Sequence, residues 1–87
     1  MKTIHKFKLN IMGYQKINIP QYSKIIHVGI QDNRICMWVI VDTDDSLKGR
    51  GIVIVGTGYM IPKNECRLEY LETVQLNSYV WHVFEEV

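Results

Sequence analysis

The stretch KIIHVGIQDNRICMWVIVD, residues 24–42, decides the fold. Two apolar runs flank Asp32 and Asn33, which tolerate positive φ and suit the two-residue type I′ turn whose twist matches a hairpin. With such a turn, cross-strand partners sum to 65, pairing Ile30 with Ile35, Val28 with Met37 and Ile26 with Val39. Six aliphatic side chains then share one face. The same register sets Gly29 opposite Cys36, His27 opposite Trp38 and Ile25 opposite Ile40 on the other face, which is not polar either. A ribbon apolar on both sides is covered on both, as in a barrel wall or a sandwich centre, or has one side covered by a partner chain or a ligand.

The flanking segments also read as strands. Residues 3–9 place Phe7 and Leu9 on one face and Lys6 and Lys8 on the other, and residues 16–19 alternate again, with Ile17 and Ile19 inward, until Pro20 removes a ladder donor. Residues 42–50 read as a polar loop without periodicity. Residues 52–55, a continuous Ile-Val-Ile-Val run bounded by Gly51 and Gly56, suit a fully buried strand, and Gly56-Thr57-Gly58 then breaks it. Residues 62–65 form a second loop. Residues 68–75 and 79–86 make a closing hairpin around Asn77 and Ser78. Leu68, Leu71, Glu72 and Gln75 also fit a helical spacing, but Tyr70, Thr73 and Val74 favour a strand. The chain is therefore read as one β-rich domain over residues 1–87, all-β or β-rich α+β, with six to seven antiparallel strands in a small barrel or sandwich.

A chain of 87 residues holds a single core and excludes a multi-domain enzyme. At 47% hydrophobic and 22% charged residues it has the composition of an ordinary globule. The longest uncharged apolar stretch, residues 35–41, cannot span a bilayer as a helix, so no membrane partner is expected. The first eleven residues lack the apolar core of a secretion signal, so a cytoplasmic protein with Cys36 and Cys66 as reduced thiols is expected. A net charge of +1 gives no overall case for wrapping a nucleic-acid duplex. That balance hides an asymmetry, because residues 1–24 carry five Lys and no acid whereas residues 65–87 carry five Glu and one Arg. Pairing of the first strand with the last would explain it. Charge complementarity between subunits is the other explanation.

His5, His27 and His82 lie on separate strands and lack metal-ligand spacing with either cysteine, so no metal site and no cofactor are expected. Cys36 lies one register step from His27, yet no group is legible that would orient the imidazole or stabilise an oxyanion, and Cys36 reads as a small buried hydrophobe. Asp42, Asp44 and Asp45 lack the alternation and closing Glu of a calcium loop. Gly56, Thr57, Gly58 and Tyr59 carry two readings: a nest of backbone amides that holds phosphate, with Arg50 as charge partner, or a tight turn needing positive φ. The turn is no dinucleotide fingerprint, since a third Gly and a following helix are missing. Trp38, with His27 beside it, is either core or a platform that anchors a partner or stacks on a base.

The opening Met1-Lys2-Thr3-Ile4 followed by Lys6-Phe7, the Cys36-Met37-Trp38 segment leading to Val41-Asp42, the Gly56-Thr57-Gly58 turn followed by Ile61-Pro62, and the closing His82-Val83-Phe84-Glu85 resemble a family of short phage and prophage proteins. The resemblance covers nearly the whole chain and implies a bacteriophage or mobile-element provenance, with no particular activity. Where that family has His after the glycine turn, this chain has Tyr59, which weakens a catalytic role there. Phage proteins of this size often act by binding, as inhibitors of host defence nucleases or as oligomeric sponges for nucleotide signals, an analogy of context and size. The expectation is thus a non-enzymatic, phage-encoded accessory protein of the host cytoplasm, homo-oligomeric through the face carrying Trp38 and His27. It would counter host defence by stoichiometric binding of a nucleotide messenger or a defence protein. In the messenger version Gly56, Thr57 and Gly58 hold phosphate, Arg50 supplies charge, and Trp38 or Tyr59 stacks on a base. The alternative is a structural or assembly module that oligomerises or docks on a phage component without a small-molecule ligand.

Overall fold

A computed structural model describes residues 1–62 and 67–87. Within them lie seven strands and no helix: β1 (Lys2–Lys8), β2 (Gly13–Pro20), β3 (Lys24–Gln31), β4 (Arg34–Asp42), β5 (Leu47–Gly56), β6 (Leu68–Leu76) and β7 (Tyr79–Glu86). They form two antiparallel sheets, a three-stranded one in the order β1-β4-β3 and a four-stranded one in the order β2-β5-β7-β6. The sheets face each other as a sandwich and do not close into a barrel. The molecule measures 40 × 32 × 16 Å, and the short axis holds two sheets about 10 Å apart with no third layer. Cys66, and with it any pairing to Cys36, lies outside the described residues, as does the loop expected at residues 62–65 apart from Pro62.

The β3-β4 turn forms as the sequence requires, with Asp32 at φ 51° and Asn33 at φ 61°. From Ile30↔Ile35 to His27↔Trp38 the register is the expected one. It then shifts: Ile25 pairs with Val39 and Lys24 with Ile40, with a bulge between Ile25 and His27. The expected partners Ile26–Val39 and Ile25–Ile40 are therefore corrected. The cause is Lys24, which the unshifted register would set opposite Val41, a residue 1% exposed in the core. One extra residue turns Lys24 outward, brings Ile25 against the core and leaves Ile26 exposed. A second bulge, between Tyr70 and Glu72, does the same for β6, packing Leu71 inward and setting Tyr70 edge-on against Phe84. The two bulged edge strands, β3 and β6, meet along one side of the sandwich.

Between the sheets, Ile35, Met37, Val39 and Val41 of β4 meet Ile52 and Ile54 of β5, with Val83, Trp81, Leu76, Ile19, Val28 and Leu9 completing the core. Each such side chain contributes roughly 1.5–3 kcal/mol by leaving water. β5 is buried on both faces, as its β-branched run predicts, with Val53 fully enclosed on the outer side. The strand is longer than its sequence suggests, because residues 47–50, read as loop, pair with residues 17–20 of β2. Only residues 43–46 connect β4 to β5. Gly49 and Gly51 leave room there, since a Cβ would meet Lys16 at one position and Tyr14 and Glu86 at the other. The closing hairpin is β6-β7, with Asn77 and Ser78 both at positive φ.

β1 pairs with β4 and not with the last strand, which lies between β5 and β6 in the other sheet. The basic and acidic ends of the sequence are thus not neutralised across a ladder. In urea unfolding, Ile25→Asp is expected to cost at least about 3 kcal/mol and Ile26→Asp less than about 1 kcal/mol, the values of a core and a surface site. An unshifted register would reverse that order.

Candidate functional site

The residues singled out by sequence fall in three places. His27 and Trp38 face solvent on the outer side of the three-stranded sheet. Arg50 lies at the beginning of the buried part of β5, and the turn from Gly56 to Tyr59 begins at its last residue, some 20 Å along the strand at about 3.3 Å per residue. A single protomer does not bring Arg50, Trp38 and the glycine turn together.

At the glycine turn the Tyr59 amide donates to the Gly56 carbonyl (3.0 Å) and Gly58 takes φ 87°. This is the geometry of a type II turn, which needs glycine at its third position. The Thr57 amide donates to the Val80 carbonyl (3.1 Å), so two of the amides on which a phosphate nest would rely are already spent. A Cβ on Gly58 would meet nothing, so the backbone angle alone demands glycine there. The Thr57 hydroxyl lies 2.7 Å from His82 Nε2, His82 Nδ1 lies 3.0 Å from the Thr73 hydroxyl, and that hydroxyl lies 2.8 Å from the Tyr70 hydroxyl. The imidazole therefore relays hydrogen bonds between two threonines and fastens the turn to β6 and β7. Sequence reasoning passed over His82, although the closing hairpin, once its two-residue turn is set, puts Thr73 directly opposite it.

Arg50 reaches across the inner face to β7. Its Nε and Nη2 donate to the two Glu85 carboxylate oxygens and its Nη1 donates to the Ser23 carbonyl (2.6 Å). With 24% and 12% of the two side chains exposed, this fork-on-fork pair joins β5, β7 and the β2-β3 connection at the polar end of the core. A cavity of about 900 Å³ adjoins it, lined also by Lys16, Lys48, Arg67 and Glu69. No sequence signal pairs Arg50 with Glu85, because β5 and β7 are not consecutive strands and no turn sets their register.

The outer face of the three-stranded sheet is different in kind. Trp38 stands half-buried in its middle, with the His27 ring 5.3 Å away and tilted by 39°. Gly29 makes this possible, since a Cβ there would lie 2.6 Å from His27 Nε2. Lys2, Lys6 and Lys8 follow one another on alternate positions of β1, interrupted by exposed Ile4, and Lys24 flanks β4 on the other side. Lys6 Nζ donates to Gln31 Oε1, a contact that links β1 to β3 across β4, and Cys36 of β4 is 1% exposed although it lies on the outer face. Cys36 and His27 share the face as expected, but the imidazole packs on Trp38. At the edge of the face the Asp42 carboxyl is held below its ordinary range by the Asp44 amide first and the Met1 ammonium second. Among the described residues no group of His, Cys, Asp and Glu could hold a metal ion.

These features define a small antiparallel sandwich that presents a cationic, aromatic sheet face. The chain belongs to the family described as a domain of unknown function, DUF7352, which matches residues 1–87. No curated protein and no solved structure matches it. Arg50→Ala is expected to lower stability by about 3 kcal/mol in urea unfolding by leaving Glu85 uncompensated. Gly58→Ala is expected to cost about 1–2 kcal/mol from its backbone angle alone.

Proposed function

We propose that the protein acts by stoichiometric binding, without turnover, through the outer face of the three-stranded sheet. One observation carries this reading: the half-buried Trp38 and its His27 neighbour lie among four lysines on one face. Such a face suits a ligand that combines negative charge with a flat ring, because the ring stacks while the cations hold the charge. A nucleotide signal has both. In this role the protein is a phage- or prophage-encoded accessory that acts in the host cytoplasm and counters host defence by sequestering the signal or by covering an effector protein. Arg50 and the Gly56-Thr57-Gly58 turn then serve the scaffold, Arg50 as an internal clip and Gly58 as the residue that permits the turn.

A second reading, assembly on a larger phage component, draws on the opposite end of the molecule. There Met12, Tyr59 and Met60 are more than half exposed around an apolar groove that reaches Val55. Methionine and tyrosine clusters of this kind are typical of protein contacts.

Thermal-shift titration of the purified protein with cyclic and linear nucleotides distinguishes the two. A stabilising nucleotide is expected, with Trp38→Ala weakening its binding about tenfold or more, the value of one lost stacking contact of roughly 1–3 kcal/mol, while the fold is retained. If Trp38→Ala left nucleotide binding intact while Met60→Asp abolished recovery of a virion protein, the assembly reading would replace it.

A further inference from the structure

We infer that the outer face of the three-stranded sheet binds single-stranded nucleic acid, an inference that rests on the preceding assignment of the ligand to this face and goes on to make that ligand a polymer. Lys6 and Lys8 are alternate residues of an extended strand, about 6.7 Å apart, and Lys2 continues the row, so the cations follow β1 over roughly 20 Å. A mononucleotide would use one part of such a row, whereas an extended phosphate backbone can use all of it. Lys24 supplies a further cation across β4, so charge lies on both sides of the aromatic pair.

The centre of the face is suited to bases. His27 is exposed and leans on Trp38, and Ile4 and Ile40 continue an apolar strip beside them, forming with Lys2 and Thr3 a shallow groove. Every base has a π-face, so an aromatic platform with an apolar margin takes unpaired bases regardless of sequence. A duplex keeps its bases stacked on one another and offers none to this platform, and a flat sheet face enters neither groove.

Charge sorting supports the same occupant. The whole chain carries only +1, yet four of its lysines stand on this face, where the register positions include a single carboxylate, Asp42. Asp42 is occupied by the Met1 ammonium and the Asp44 amide. Acids from the other end of the sequence are in the other sheet, with Glu85 against Arg50 and Glu86 accepting from the Tyr14 hydroxyl. Lys6 spends one of its three donors on Gln31 and keeps the others for a phosphate.

The test is fluorescence anisotropy with a labelled oligothymidylate and a labelled oligouridylate of about 12 nucleotides, within the span of known single-strand sites. Thymidine monophosphate, a cyclic dinucleotide and a duplex of the same length serve as competitors. Binding is expected to weaken roughly 20- to 50-fold between 50 and 200 mM salt, as three or four phosphate contacts at about 0.7 each require. The double variant Lys6→Gln, Lys8→Gln is expected to reduce that log–log slope by about 1.4. Oligomer binding should quench tryptophan emission in the wild type and in Trp81→Phe but not in Trp38→Phe, with circular dichroism confirming that each variant is folded. Should the cyclic dinucleotide or the monophosphate bind as tightly as the oligomers, with a slope near one contact, the polymer inference fails while the binding reading stands. If no nucleotide and no oligomer binds and Trp38 emission never changes, both fail. Equal or stronger binding of the duplex would also overturn the inference, as would capture by this face of an acidic protein that the lysine variant loses and oligonucleotide does not displace.

Discussion

Everything in the molecule depends on alternate side chains of β4 and β5 meeting between two sheets. Ile35, Met37, Val39 and Val41 project from one side and Ile52 and Ile54 from the other, and none of them is more than 1% exposed. The other core side chains, among them Leu9, Ile19, Val28, Leu76, Trp81 and Val83, pack around this layer, so both sheets are ordered by it. Its demand for strict alternation also explains the bulges. Where the sequence breaks the two-residue period, at Ile25-Ile26 and at Tyr70-Leu71, the backbone inserts a residue and the core keeps its apolar lining.

Local patterns made much of this legible. The Asp32-Asn33 turn fixes five consecutive pairs of β3 with β4 because turn chemistry and register are coupled within a few residues. The Ile-Val-Ile-Val run announces a strand covered on both sides. What stayed hidden was everything that joins segments distant in sequence. Nothing near Lys2 indicates that it will lie opposite Asp42, and nothing in Lys48-Gly49-Arg50 indicates that β2 will turn these weak strand formers into ladder. The bulge at Ile25 leaves one backbone residue unpaired and keeps Lys24 out of the core, a balance that alternation along β3 alone does not display.

The same division holds for the candidate site. Trp38 and His27 were found because they face each other within one hairpin. The lysines around them are brought in by the pairing of β1 with β4, which converts a charge asymmetry along the sequence into one between the faces of a slab. Arg50, by contrast, is a cation whose donors are turned inward. As a residue of an expected polar loop it suited a ligand contact, and only the position of Glu85 on β7 distinguishes an internal tie from an external contact.

The interleaved strand order has a consequence for how the chain reaches its native state. β1 and β2 are adjacent in sequence yet enter different sheets, and each must wait for a partner some thirty residues away. Hairpins β3-β4 and β6-β7 can form early by local contact, but neither sheet acquires its full width until the N-terminal strands return across the assembled centre. Such topologies bring their ends together late and gain little from partial success, so the molecule should assemble slowly for its size and come apart as a unit.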